Sequence, residues 1–166
     1  MKKELKNYAF IDGNNLYRGI RGLGWKLDYR KFRVFLEEKY AVKKVYMFMG
    51  FVPQYAAMYK DFQEWGYVLI FKPTLPDDKG GVKGNCDAEL VLQAMIDLGE
   101  YKKAVIVSGD GDFHCLVTYL EKHGKLEEVI CPDHKKASAL LRKAVPEKIL
   151  FLDRFESRLR YESPPK

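Results

Sequence analysis

The chain has 166 residues, 47% hydrophobic and 14% aromatic, enough for one domain with a continuous core, and carries a net charge of +6 that favours polyanionic partners. No stretch is long enough to span a bilayer, and in the basic start MKKELKNYAF no apolar run reaches signal-peptide length before Asp12 and Asn14 interrupt it. Three cysteines (Cys86, Cys115 and Cys131) without a CxxC pair argue against a secreted disulfide framework, so a cytoplasmic setting is expected.

In chain order, residues 8–11 predict a first strand, which runs directly into FIDGNNLY. Tyr29, Phe32, Phe35 and Leu36 have the spacing of an amphipathic helix. A strand follows over 45–51, then a helix through Tyr55, Met58, Tyr59, Phe62 and Trp65, then a strand over 67–71. The connection 72–85, KPTLPDDKGGVKGN, is rich in Pro, Gly and charge, and its length marks a functional or mobile loop, with Asp77 and Asp78 in a solvated turn. Ala88, Val91, Leu92 and Met95 predict a helix, 104–107 a strand, and Phe113, Leu116, Val117 and Leu120 a helix that His123 and Gly124 end. A strand over 129–131, a helix through Ala137, Leu140 and Leu141, and a strand over 149–152 complete the body. Most strands are apolar on both faces, as buried parallel strands are. This alternation predicts an α/β fold: a doubly wound, mainly parallel sheet flanked by helices on both faces. One domain over 1–155 and a charged tail over 156–166 are expected.

In a doubly wound sheet, ligands bind beyond the carboxyl ends of the strands. Asp12 follows the first strand, and Asp110 and Asp112 follow another in VIVSGDGDF. Asp87, in KGNCDAEL, opens the helix leading into that second strand. Any one of these aspartates alone is an ordinary helix N-cap. Four together would repel and raise each other's pKa, a conflict that a divalent cation resolves. Hard cations such as Mg2+ or Mn2+ take oxygen ligands, and such a site suits phosphodiester hydrolysis with one ion or two.

FIDGNNLY, KGNCDAEL and SGDGDF, in this order and spacing, resemble the NYN domains of the LabA-like group, relatives of the PIN-domain nucleases, over nearly the whole chain. The resemblance implies a PIN-like three-layer fold and RNA cleavage dependent on Mg2+ or Mn2+. It makes Asp12, Asp87, Asp110 and Asp112 the metal and catalytic residues. It makes Asn15 a polar partner of metal or substrate, turns Lys83 toward phosphate, and has Ser108 support the turn as part of the substrate site. Relatives often carry a further acid on the helix after the second motif, where this chain has Gln93. That departure keeps open a second reading, an RNA-binding module that docks or regulates without cutting.

Arg18, Arg21, Lys26, Lys79 and Lys83 surround the expected crevice, with Arg18 the candidate substrate contact. Tyr17 and Trp25 lie among them as possible base-stacking surfaces, although Tyr17 could equally pack in the core, and the 18–26 face could simply be solvated. GGVKGN lacks the GK[ST] ending of a phosphate loop and no GxGxxG occurs, so no nucleotide cofactor is expected. Cys131 and His134 in CPDH supply half a zinc site, and a buried Cys with a surface His is the simpler reading. His114 adjoins the acidic motif, but helical phase sets it beside Phe113 and Cys115, a poor position for a general base. A phosphate-accepting receiver domain would need an adjacent acid pair after the first strand, which DGNN lacks. Oligomeric state is not legible.

Overall fold

The computed structural model describes residues 3–73, 75–76, 82–83 and 85–165. Among these, six parallel strands form one sheet: β1 (Asn7–Asp12), β2 (Val42–Gly50), β3 (Tyr67–Lys72), β6 (Ala104–Val107), β7 (Leu126–Cys131) and β8 (Ile149–Phe151). Their spatial order is β3-β2-β1-β6-β7-β8. Counting only these strands, that is the 3-2-1-4-5-6 order of a doubly wound fold, with its switch point between β1 and β6.

Side-chain alternation sorts the core into two layers. Ala9, Ile11, Val45, Met47, Val105 and Val107 face one side, packed by α1 (Gly13–Gly22), α2 (Tyr29–Tyr40), α3 (Ala56–Glu64) and α7 (Glu156–Leu159). Phe10, Tyr46, Phe48, Ala104 and Ile106 face the other, packed by α4 (Asp87–Ile96), α5 (His114–Lys122) and α6 (Ala139–Ala144). The predicted α/β three-layer fold is therefore present. No helix among the described residues is long and apolar enough to cross a membrane.

Three local features depart from the sequence reading. The residues after β1 form α1, although Gly13, Asn14 and Asn15 are weak helix formers. Asp12 caps this helix by accepting the Asn15 N–H at 3.2 Å, and Leu16 and Ile20, one turn apart, bury its inner face. Within the long connection, β4 (Leu75–Pro76) and β5 (Val82–Lys83) pair antiparallel, Leu75 opposite Lys83 and Pro76 opposite Val82. Asp77, Asp78 and Lys79 lie outside the described residues. The end of the chain docks on the body: Leu159 is fully buried, the Asp28 N–H donates to its carbonyl at 2.9 Å, and the Tyr161 N–H donates to Lys26 O at 2.8 Å. From Tyr161 to Pro165 every residue is exposed and free of regular structure.

Candidate metal centre

The carboxyl ends of β1 and β6, the two strands at the switch point, deliver the first and third motifs to one crevice. Ile11 pairs with Val107, so Asp12 and Ser108 emerge side by side. The Ser108 hydroxyl donates to Asp12 Oδ2 at 3.3 Å and accepts the Asp110 N–H at 3.1 Å. Asn15, one turn into α1, reaches across and accepts the Gly109 N–H at 2.9 Å. The Asp110 side chain in turn accepts the Asp112 N–H at 2.9 Å. These bonds lock the turn after β6 to the start of α1.

The second motif arrives from β3. At the strand's end, the Lys72 ammonium donates to Asn85 O at 2.7 Å and approaches Glu89 at 3.7 Å, and the Asn85 side chain accepts the Asp87 N–H at 2.8 Å. Lys72 was not singled out by its sequence context, because its partners lie across the intervening connection. Asp87 thereby faces the switch point. Carboxylate oxygens of Asp12, Asp87 and Asp110 lie within 4.8 Å of one another. Asp112 is exposed and stands outside that trio, at its rim beside Asp87.

Electrostatics follow from this crowding. Asp12 is only 9% exposed, and burial pushes its pKa up to about 6. The Asn15 N–H and Ser108 hydroxyl oppose that rise, while the charges of Asp87 and Asp110 add to it. Asp87 is raised as well, first by burial and then by Asp110, with Asp112 contributing. Among the described residues, none of the four carboxylates is in a salt bridge with Lys, Arg or His. Converging hard oxygen donors without a cationic side chain fit a divalent ion, and Asp12, Asp87 and Asp110 are the residues that could hold it.

The other sequence candidates are divided. Ser108 is fully buried, so it braces the turn and does not reach a substrate directly. Trp25 is 3% exposed and belongs to the core, which removes it as a stacking surface, whereas Tyr17 is 55% exposed. Arg18 and Arg21 are exposed on α1, and Lys26 lies over the Tyr161 ring at 4.5 Å. The Lys83 side chain lies outside the described part of the structure. His114 starts α5 without a hydrogen bond to the carboxylates among the described residues. Gln93 reaches Tyr46, whose hydroxyl donates to Asp97. His134 is not a lone surface residue: it meets Asp133 and Asp153, a grouping hidden from sequence because Asp153 follows a different strand.

The NYN domain family profile matches residues 7–153, and the chain belongs to the NYN domain family. That family lies within the PIN-like nucleases, which generally use divalent metals, and the acidic trio fits a metal-dependent nuclease. A distant relative, "Low amplitude and bright protein LabA" of Synechococcus elongatus, is 28% identical over 121 residues. The match covers 67% of this chain and 65% of LabA's length, and supports membership of the LabA-like group. The solved structure of a protein of unknown function from Vibrio parahaemolyticus RIMD 2210633 has a TM-score of 0.77 at 20% identity, covering 97% of this chain and 100% of that one. It shares the fold.

Proposed function

We propose that this protein is a ribonuclease that hydrolyses RNA phosphodiester bonds with Mg2+ or Mn2+ held by Asp12, Asp87 and Asp110. The observation that carries the reading is the convergence of these three carboxylates within 4.8 Å at the sheet's switch point. When bound, the ion supplies Lewis acidity and lowers the pKa of a coordinated water. The chain's own residues supply position. The Asn15 N–H and the Ser108 hydroxyl aim the two oxygens of Asp12, and the Asn15 amide holds the turn that carries Asp110. Asp112, exposed at the rim, adds negative charge where a cation and an incoming phosphate would meet. Arg18, exposed on α1, and Lys83 in β5 are the proposed backbone contacts, and Tyr17 is the proposed base-stacking surface. No disulfide joins Cys86, Cys115 and Cys131 to one another among the described residues, which suits action in a reducing cytoplasm.

Cleavage of single-stranded RNA with Mn2+ and with chelator, in the parent and in Asp12→Asn and Asp87→Asn, tests this. The parent should cut only with metal, and each variant should lose at least about a hundredfold in rate, the scale of removing a charged group that holds a reaction centre. RNA affinity should fall as salt rises, with a log–log slope of about −0.7 for each phosphate contact, and Lys83→Ala should flatten that slope. Salt-dependent binding without metal-dependent cutting would instead make the protein a docking module, the reading that Gln93 keeps open. Absence of binding at low salt would remove RNA as the partner.

A further inference from the structure

A second cluster lies at the same end of the sheet, beyond β7 and β8. Cys131 at the end of β7 pairs with Phe151 at the end of β8, so the residues that follow each strand meet. Asp133, His134 and Asp153 each place one donor atom within 4.8 Å of the others. Asp133 is only 6% exposed, and its carboxylate is oriented by the Lys135 N–H, which donates at 2.9 Å. His134 Nδ1 touches Asp153 Oδ2, the His134 carbonyl accepts from Arg142, and the imidazole packs against the Phe151 ring at 6.3 Å between centroids.

Two observations say that this cluster lacks a partner. Asp153 Oδ1 is buried and accepts no hydrogen bond, a state that native proteins rarely tolerate. Two guanidinium groups are close by, yet Arg142 and Arg154 lie over the Phe151 ring at 4.8 and 5.2 Å. Among the described residues, His134 is the sole salt-bridge partner of Asp153, and Asp133 has none. Two carboxylates thus share a half-buried site with one imidazole and no fixed cation.

We infer that Asp133, His134 and Asp153 form a second cation site, suited to a first-row transition dication such as Mn2+ or Zn2+. An imidazole nitrogen joined to two carboxylates is a mixed donor set, which favours such ions over Mg2+. The site is separate from the all-carboxylate trio and independent of the proposed nuclease activity. It is also linked to the trio through the chain that follows. The Ser138 N–H donates to Gly109 O at 3.1 Å, and Ser138 Oγ occupies the space beside Gly111, 2.6 Å from where a Cβ would stand. An ion bound after β7 would therefore brace the turn that carries Asp110.

Untagged full-length protein carrying Asp12→Asn and Asp110→Asn, with two carboxylates of the first centre removed, is titrated with Mn2+. Bound ion is counted by electron paramagnetic resonance, and pulsed measurements record coupling to 14N. One bound Mn2+ with imidazole 14N coupling is expected. Adding His134→Gln should abolish the coupling, and adding Asp153→Asn should weaken binding about tenfold or more, with circular dichroism confirming that each variant folds. Binding without 14N coupling, coupling that survives His134→Gln, or no binding at millimolar Mn2+ would overturn the site and leave His134 as the plain counter-charge of Asp153. None of these results depends on RNA cleavage.

Discussion

Asp12 holds two roles that pull its protonation in opposite directions. As the cap of α1 it is stabilised in its charged form by an N–H, but burial and two neighbouring carboxylates raise its pKa from 3.8 to about 6. Without metal, the folded state binds this proton more tightly than the unfolded chain does. The associated stability is complete below about pH 3.8, falls as pH rises, and is gone above about pH 6. A shift of that size corresponds to about 3 kcal/mol. Asn caps helices as well as Asp and carries no charge. In chelator, Asp12→Asn should therefore melt above the parent at about pH 8 and lose that advantage toward about pH 4; melts across this range check it, and a pH-independent gap would refute it. Asn15 is a positioning residue. Asn15→Ala leaves the Gly109 N–H without its acceptor and should cost about 1–2 kcal/mol in urea unfolding, whereas Asn15→Asp keeps an acceptor but adds a carboxylate to the crowded cluster and should recover stability only at low pH, where the added acid is protonated.

Among the elements, α1 is held by close backbone approach as much as by side chains. A Cβ at Gly19 would stand 2.6 Å from Pro132 Cβ, a ring atom with little freedom to move. At Gly22 it would meet only the Lys136 ammonium, the tip of a flexible chain, at 3.4 Å. Replacing a mid-helix glycine by alanine gains up to about 1 kcal/mol of helix propensity, whereas overpacking costs about 1–3 kcal/mol. Gly19→Ala should lower the urea midpoint, because the clash exceeds the gain. Gly22→Ala should leave the midpoint unchanged or slightly raised. Equal shifts in the two variants would show that α1 does not depend on this contact. Gly19→Ala should also weaken Mn2+ binding at the second cluster, since Pro132 adjoins Asp133.

At the scale of the molecule, the body extends past residue 155. Leu159 lies in the same core as Trp25, Leu27 and Phe35, and two backbone bonds join the 159–161 segment to residues 26 and 28. Deleting 162–166 should leave the melting temperature nearly unchanged. Deleting 156–166 removes a fully buried leucine and should destabilise the fold by about 2–5 kcal/mol, the range for losing a large core side chain. Thermal melts of the two truncations distinguish a docked segment from a dispensable tail: equal stability would assign 156–161 to the tail.

The alternation of strand and helix, the parallel sheet and the strand ends carrying Asp12, Asp110 and Asp112 were legible from the chain alone. These features rest on local periodicity and on residues adjacent in sequence. Tertiary structure decided which acids meet. Asp87 joins Asp12 and Asp110 because the end of β3 and Asn85 direct its helix toward the switch point, while the short helical turn after Asp110 leaves Asp112 at the rim. Burial was equally out of local reach. Trp25 and Ser108 look polar-accessible among their neighbours, yet lie inside because packing between α1, α7 and the sheet covers the one and the β1–β6 pair covers the other. Asp153 is separated from His134 by α6 and β8, and only the β7–β8 register brings them together. Periodicity along a chain says which face a residue takes, but contacts between distant segments depend on strand order and register, which are properties of the assembled sheet.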